Sequence, residues 1–280
     1  MKRGLLIGMV VLAVAIAIGG GVWLYDWVLG ATQTASGPLS APTLAAATLL
    51  SPSASLPKAT PSAESEALAT ESPAAAEETE APAVTQETDG PTQAADLTAG
   101  EVVIYQINQD GSEARFNIFE ELRGAPKDVI GTTNQIAGQV AVNLNDLSAA
   151  QVGEILINAR ALTTDDSRRN QAIRNRILFT DQYEFIRFQP TQISGLSGSA
   201  APGQTFTFQI SGDLTIKDVT HPIVFDVTAQ VESAERISGL AKATISRADF
   251  NLIVPSVPFV ANVGDNILLE ISFVLTPVAS

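Results

Sequence analysis

The chain has 280 residues, no Cys, a single His and a net charge of −14, with 30 acidic against 16 basic side chains. Without thiols there is no disulfide framework, thiolate zinc site, iron–sulfur cluster or cysteine nucleophile, and one imidazole, His221, cannot build a histidine metal cage or relay. The acidic balance also argues against general nucleic-acid binding, which needs a basic stripe to neutralise phosphates.

Charge divides the chain into three regions. Residues 1–30 carry a net +1 from Lys2, Arg3 and Asp26, residues 31–99 a net −8 from nine acids and one Lys, and residues 100–280 a net −7 from 20 acids and 13 bases. After Lys2 and Arg3, residues 4–25 are uncharged, and as a helix they would extend about 33 Å, which matches a bilayer core. Trp23, Tyr25 and Trp27 stand at the far end, where amphipathic rings favour the headgroup boundary, and the Lys–Arg pair predicts a cytoplasmic N-terminus. The apolar run is longer than that of a secretory signal and no clear small-residue cleavage site follows, which favours an uncleaved single-pass anchor over a signal peptide. In either reading the remainder is extracytoplasmic, held at the cell membrane by the anchor or secreted if the leader is cleaved.

Residues 31–99 hold eight of the 15 Pro, no Phe, Trp or Tyr, and runs of Ala, Ser, Thr and Glu. Such a stretch buries too little apolar surface to offset its ordering entropy, so it is expected to be a disordered linker. Its mean span as a flexible chain is about 40 to 50 Å.

Residues 100–280 are predicted to form an all-β domain. Phe206, Phe208, Ile210, Gly212, Leu214 and Ile216 alternate strictly with polar neighbours across 204–216. The same period of two runs through Ile136, Val140, Val142 and Leu144, through 223–231, through 237–245 and through 267–275. Shorter strands are expected at 101–108, 113–121, 128–134, 152–161 and 185–194. Some pieces must merge into long bent strands, giving about eight antiparallel strands, each with one apolar face. The pattern fits a sandwich or a closed barrel, and period does not choose between them. One segment departs from it: Asp165 or Asp166 caps a helix at about 167–178, whose Ala172, Ile173 and Ile177 fall on one face to pack over the barrel. The glycines of 195–203 read as a flexible hairpin loop.

Several blocks in this domain resemble the YceI-like, or polyisoprenoid-binding, family. They are Leu162-Thr163-Thr164-Asp165 followed by Arg169, then Ile177-Leu178-Phe179, 183–188, the run from Gly212 to Pro222 and Ile245-Ser246-Arg247-Ala248-Asp249-Phe250. They occur in the family's order, and the resemblance covers nearly all of 100–280. Three positions depart from the family pattern: Asn170 and Ala172 on the helix, and Asn251 where glycine is common. The resemblance implies a lipocalin-like antiparallel barrel of eight strands whose apolar pore holds a long isoprenoid chain or a quinone tail. It implies no catalytic residues and no cofactor.

Combined with the strand alternation, it marks pore-lining candidates. On the early strands these are Phe116, Ile118, Val140, Val142 and Phe188; in the central hairpin they are Phe206, Phe208, Ile210, Phe225 and Val227; toward the C-terminus they are Phe250, Ile271 and Phe273. A packed core remains the alternative reading of the Phe stripe. Arg168 and Arg176 are candidates for facing anionic headgroups, Arg169 with Asp165 for a structural ion pair, and Arg247 with Asp249 for stabilising a turn. No metal site is expected. The expected partners are a long-chain lipid in the pore, the membrane through the N-terminal helix and a second copy as a homodimer. The carrier reading competes with a structural or interaction module whose barrel is filled by side chains, and with an enzyme acting on a lipid headgroup.

Overall fold

The structure, a computed structural model, describes residues 33–44, 102–256 and 260–278. The expected membrane helix and most of the expected linker lie outside these residues. Among the described residues no helix is long and apolar enough to cross a membrane.

The strands are β1 (Val103–Ile107), β2 (Glu113–Leu122), β3 (Ala125–Thr133), β4 (Ile136–Ala137), β5 (Gln139–Asn143), β6 (Asp146–Val152) and β7 (Ile155–Asn158). After a helical insertion follow β8 (Phe185–Ser194), β9 (Thr205–Ile216), β10 (Val219–Ser233), β11 (Arg236–Ser246), β12 (Val260–Ala261) and β13 (Asn266–Pro277). All pairings are antiparallel and run in the order β4, β7, β8, β9, β10, β11, β13, β1, β5. Because only Gly138 separates β4 from β5, this ladder returns to its start and the sheet closes on itself.

Several strands are parts of longer ones. β13 pairs β2 through residues 267–272 and β1 through 275–277, so β1 and β2 form one strand interrupted by the turn at Gln109–Gly111. β3, β4 and β5 likewise continue one another, as do β6 and β7. Counted this way, eight long strands form the ring among the described residues. β6 was absent from the expectation, because Asp146, Ser148 and Gln151 dilute its apolar face.

The expected registers hold where alternation was strict. On β10, Phe225, Val227, Ala229 and Val231 are buried and the residues between them exposed. Lateral space inside the ring comes from glycines facing large rings. Phe116 lies opposite Gly131 and Phe273 opposite Gly239, and a Cβ at either glycine would fall 2.2 and 2.4 Å from those rings. The rings therefore lie flat along the barrel wall and leave the lumen partly open.

The predicted helix is present but changes character midway. An α-helix, α1 (Ser167–Ala172), is capped by the Asp166 carboxylate, which accepts from the Arg168 and Arg169 N–H groups; a wider π-helical stretch, Ile173–Ile177, follows. Residues 33–44, which composition assigns to the linker, instead lie hydrogen-bonded against the barrel. Asp181 accepts from the Gln33 N–H, Glu184 from the Ser36 N–H and hydroxyl, and Gln139 from the Leu44 N–H. The buried Arg160 donates to the Thr34 carbonyl at 3.1 Å and pairs with Glu184. Average composition cannot register these fits between one irregular backbone segment and partners more than 90 residues away.

The loop at 195–204 also differs from expectation. It is tied across the barrel end: Leu147 N–H donates to the Gly198 carbonyl, Ala200 N–H to Leu144, and Gly203 N–H to Val231. Positive φ at Gly195, Gly198 and Gly203 bends the chain sharply enough to make those contacts.

Candidate functional site

Among the described residues, two cavities of the barrel interior differ in character. The first, about 130 Å³, lies toward the end closed by the 195–204 loop and is lined wholly by apolar side chains, among them Leu144, Leu147 and Leu196. Tyr105, fully buried at this end, donates its hydroxyl hydrogen to the Ala234 carbonyl at 2.7 Å, and burial, with the Glu235 charge adding, pushes its pKa up.

The second cavity, about 770 Å³, lies toward the opposite end, beneath α1, the π-helical stretch and residues 247–256. Its walls are Phe116, Ile118, Val129, Ile216, Ile245, Ile267 and Leu269 from the strands, with Leu162, Ile173, Ile177 and Leu178 from the helical insertion. That volume is in the range that encloses a small organic ligand, whereas the first cavity resembles in size an apolar hole that holds a single benzene. Phe188 and Phe225 line the narrow cavity and meet edge to face, centroids 5.0 Å apart. The fully buried Leu214 belongs to the surrounding core and borders neither cavity.

Charge gathers at the wide cavity alone. Glu120 is buried there and accepts from the Arg169 guanidinium at 2.9 Å, and Arg169 also bonds Asp165. Lys127 reaches Asp165 at 2.7 Å, and this hydrogen bond is the main cause holding the Asp165 carboxyl below its ordinary pKa, helped by the Arg169 charge. The Asp166 carboxyl is lowered chiefly by the Arg169 backbone N–H that it caps. Arg168 lines the mouth and is exposed. Asn170, one of the departures from the family pattern, accepts from the Thr164 N–H and hydroxyl and so fixes the chain entering the helix.

The sequence candidates distribute unevenly between these spaces. Val140, Val142, Phe188, Phe206, Phe208, Ile210, Phe225, Val227, Ile271 and Phe273 line the narrow cavity; Phe116 and Ile118 line the wide one. Phe250 lines neither: it is 1% exposed, its ring packed edge-on against His221 at 5.2 Å, so it is solid core. Asp165 and Arg169 pair as expected, with Glu120 as an additional partner. Arg247 does not pair with Asp249. Its guanidinium donates to the Leu252 and Gly264 carbonyls, and the turn is closed by Asp265, which accepts from the Ser246 hydroxyl and the Ala248 N–H. The long loop returning to β13 brings a carboxylate closer than the one two residues away in sequence. Arg176 is half-buried and engaged, and does not line the cavity.

The residues that sequence reasoning missed are mainly the walls of the wide cavity. Ile216, Ile245, Ile267 and Leu269 sit on faces already identified as apolar, and continuing each alternation to the helix end finds them. Leu162 and Leu178 carry no periodic signal. Among the described residues no group of three or more acidic or His side chains is placed to hold a metal.

A closed antiparallel barrel with an apolar interior and a charged mouth defines a lipocalin-like class of fold. The profile of the YceI-like domain family matches residues 105–275, more than half of the chain, and the protein belongs to that family. A polyisoprenoid binding domain from Saccharophagus degradans, implicated in plant cell wall breakdown, superposes with a TM-score of 0.50 at 14% identity, over 63% of this chain and 99% of its own. Its likeness supports the barrel fold. BcnA from Burkholderia cenocepacia gives a TM-score of 0.47 at 16% identity, covering 60% of this chain and 98% of that one. A YceI protein from Campylobacter jejuni gives 0.43 at 16%, covering 54% and 85%. No curated protein matches the chain.

Proposed function

We propose that the domain is a non-enzymatic carrier that binds a long apolar molecule, such as a polyisoprenoid or an isoprenoid quinone, and that the N-terminal helix tethers it to the extracytoplasmic side of the membrane. The observation that carries this reading is the cavity of about 770 Å³, walled by aliphatic and aromatic side chains and opening beside charged groups. Burying one five-carbon isoprene unit contributes roughly 4 kcal/mol at about 0.8 kcal/mol per carbon, less the cost of association and chain ordering. A cavity with an apolar interior and a polar rim suits a molecule with a long tail and a small head. The charged side chains at the mouth are bonded to one another, Glu120 to Arg169 and Asp165 to Lys127 and Arg169, which favours holding a ligand over headgroup chemistry.

A second reading has its own support. In the Phe-rich half of the barrel side chains leave only about 130 Å³, as expected of an interaction module with a filled interior. Organic extraction of the purified protein followed by mass spectrometry separates the two. An isoprenoid or quinone recovered in near-stoichiometric amount is the expected result. An apolar extract that is empty, together with no uptake of an added fluorescent isoprenoid, moves the assignment to the interaction module. Sedimentation of the same sample tests the expected homodimer.

A further inference from the structure

The wide cavity has an apolar outer rim that the carrier reading does not use. Ile253 is 74% exposed and Phe179 47% exposed, the first joined to Leu252 and Val254, the second to Leu178, all three of which line the cavity. Lys217, in the turn between β9 and β10, links them. Its ammonium donates to the Asn251 carbonyl at 2.9 Å and lies 5.7 Å from the Phe179 ring centroid, while the Ile253 N–H donates to the same carbonyl. Phe179, Lys217 and Asn251 also have positive φ, at 49°, 59° and 51°. Left-handed backbone is tolerable for Asn but unfavourable for a bulky ring, and here it turns that ring toward solvent.

The docked segment fixes where the preceding chain leaves this surface. Gln33 is bonded to Asp181, two residues from Phe179 and thus at most about 7.6 Å away along the Cα trace. Only the seven residues 26–32 separate Gln33 from the uncharged run 4–25 of the predicted anchor, a reach of at most about 25 Å when fully extended. We propose that the rim formed by Phe179 and Ile253 around Lys217 is a bilayer-contact surface, held against the phospholipid headgroups by the docking of residues 33–44. This inference rests on the membrane-tethered carrier reading and adds the orientation: the wide cavity faces the bilayer directly, and an apolar ligand enters without crossing water. Two apolar side chains beside a lysine suit the interface, where rings and aliphatic tips sink below the headgroups while an ammonium stays among them.

The absence of Cys makes a direct test simple. The full chain, carrying Phe179→Cys, Ile253→Cys or Val224→Cys, is labelled with an environment-sensitive fluorophore and reconstituted into vesicles of phosphatidylcholine and phosphatidylglycerol. Val224 is 47% exposed on the outer face of β10 and serves as the control. A quencher attached to the upper part of the lipid chains, about 5 to 10 Å deep where interfacial side chains reach, is expected to dim the labels at 179 and 253 severalfold and leave 224 bright. If the Phe179 change disturbs its left-handed turn, position 253 decides. Labels at 179 and 253 as bright as at 224, or all three dimmed alike, overturn the proposal. A bright rim on protein that still yields an extractable isoprenoid removes this inference and keeps the carrier; a dimmed rim on protein without apolar ligand does the reverse.

Discussion

The two ends of the barrel are built from the same strands with the same alternation, yet one is nearly filled and the other holds a large cavity. At the closed end, β10 contributes Phe225, Val227, Ala229 and Val231, Tyr105 is fully buried, and the 195–204 loop is stitched to the β5–β6 turn, β6 and β10. At the open end the strands give way to α1, the π-helical stretch and residues 247–256, whose side chains line the wide cavity with Ile216, Ile245, Ile267 and Leu269. Inward apolar residues are thus necessary for a binding cavity and do not suffice for one. What separates lining from filling is whether a neighbouring element supplies enough side-chain volume, and here the short helical insertion supplies less than the loop and rings opposite.

The largest expected effect concerns the charged mouth, which only the open end has. Arg169→Ala leaves the buried Glu120 without its cation and is expected to cost about 3 kcal/mol, as breaking a buried pair does. Arg187→Ala removes a more exposed pair with Glu154 and is expected to cost less than about 1 kcal/mol. Urea titration of both variants checks the ratio, and equal small losses mean that the mouth is as solvated as the outer wall.

A Trp placed at each end sharpens the contrast. Phe208→Trp overfills the narrow cavity and is expected to cost about 1 to 3 kcal/mol. Leu269→Trp has room in the wide cavity, so its stability loss is expected to be smaller while uptake of a fluorescent isoprenoid falls. Unchanged uptake by the Leu269 variant, with loss in the Phe208 variant, reverses the roles of the two cavities.

The smallest effect is read at the glycines. A methyl at Gly239 meets both the Phe273 ring at 2.4 Å and the Thr228 carbonyl oxygen at 2.5 Å, and a carbonyl in a ladder cannot retreat. A methyl at Gly131 meets only the Phe116 ring among its nearest contacts, and that ring borders the wide cavity. Gly239→Ala is expected to lower the melting temperature measurably, at about 1 to 2 kcal/mol of overpacking, and Gly131→Ala by a smaller amount. Similar shifts in both would mean that the Phe116 ring has no free space to enter.

Much of the molecule is legible in the sequence, for identifiable reasons. Strand period is set by local backbone geometry, so Phe206 to Ile216 and Ile223 to Val231 declare their inward faces without reference to any partner. The Asp166 cap is equally local, since the groups it satisfies are the Arg168 and Arg169 N–H groups two and three residues on. Merging the short apolar runs into long bent strands gives about eight, and eight long strands form the ring among the described residues. The family blocks, confined to residues 105–275 in the matching profile, carry the rest of the fold.

Other features depend on distance in space and are invisible along the chain. Asp249 stands near Arg247 in sequence, but Asp265 closes that turn because the end of β11 pairs with the start of β13, Ser246 opposite Asn266. Ser36 and Leu44 belong to a stretch with the composition of a disordered chain, yet Glu184, 148 residues away, and Gln139, 95 residues away, bind their N–H groups. Phe250 has the aromatic character of a pore residue and is solid core through its contact with His221. The position of the large cavity belongs with these. Alternation determined which side chains point inward, whereas their summed volume at each level of the barrel, set by cross-strand register and by the elements closing each end, decided where space remains.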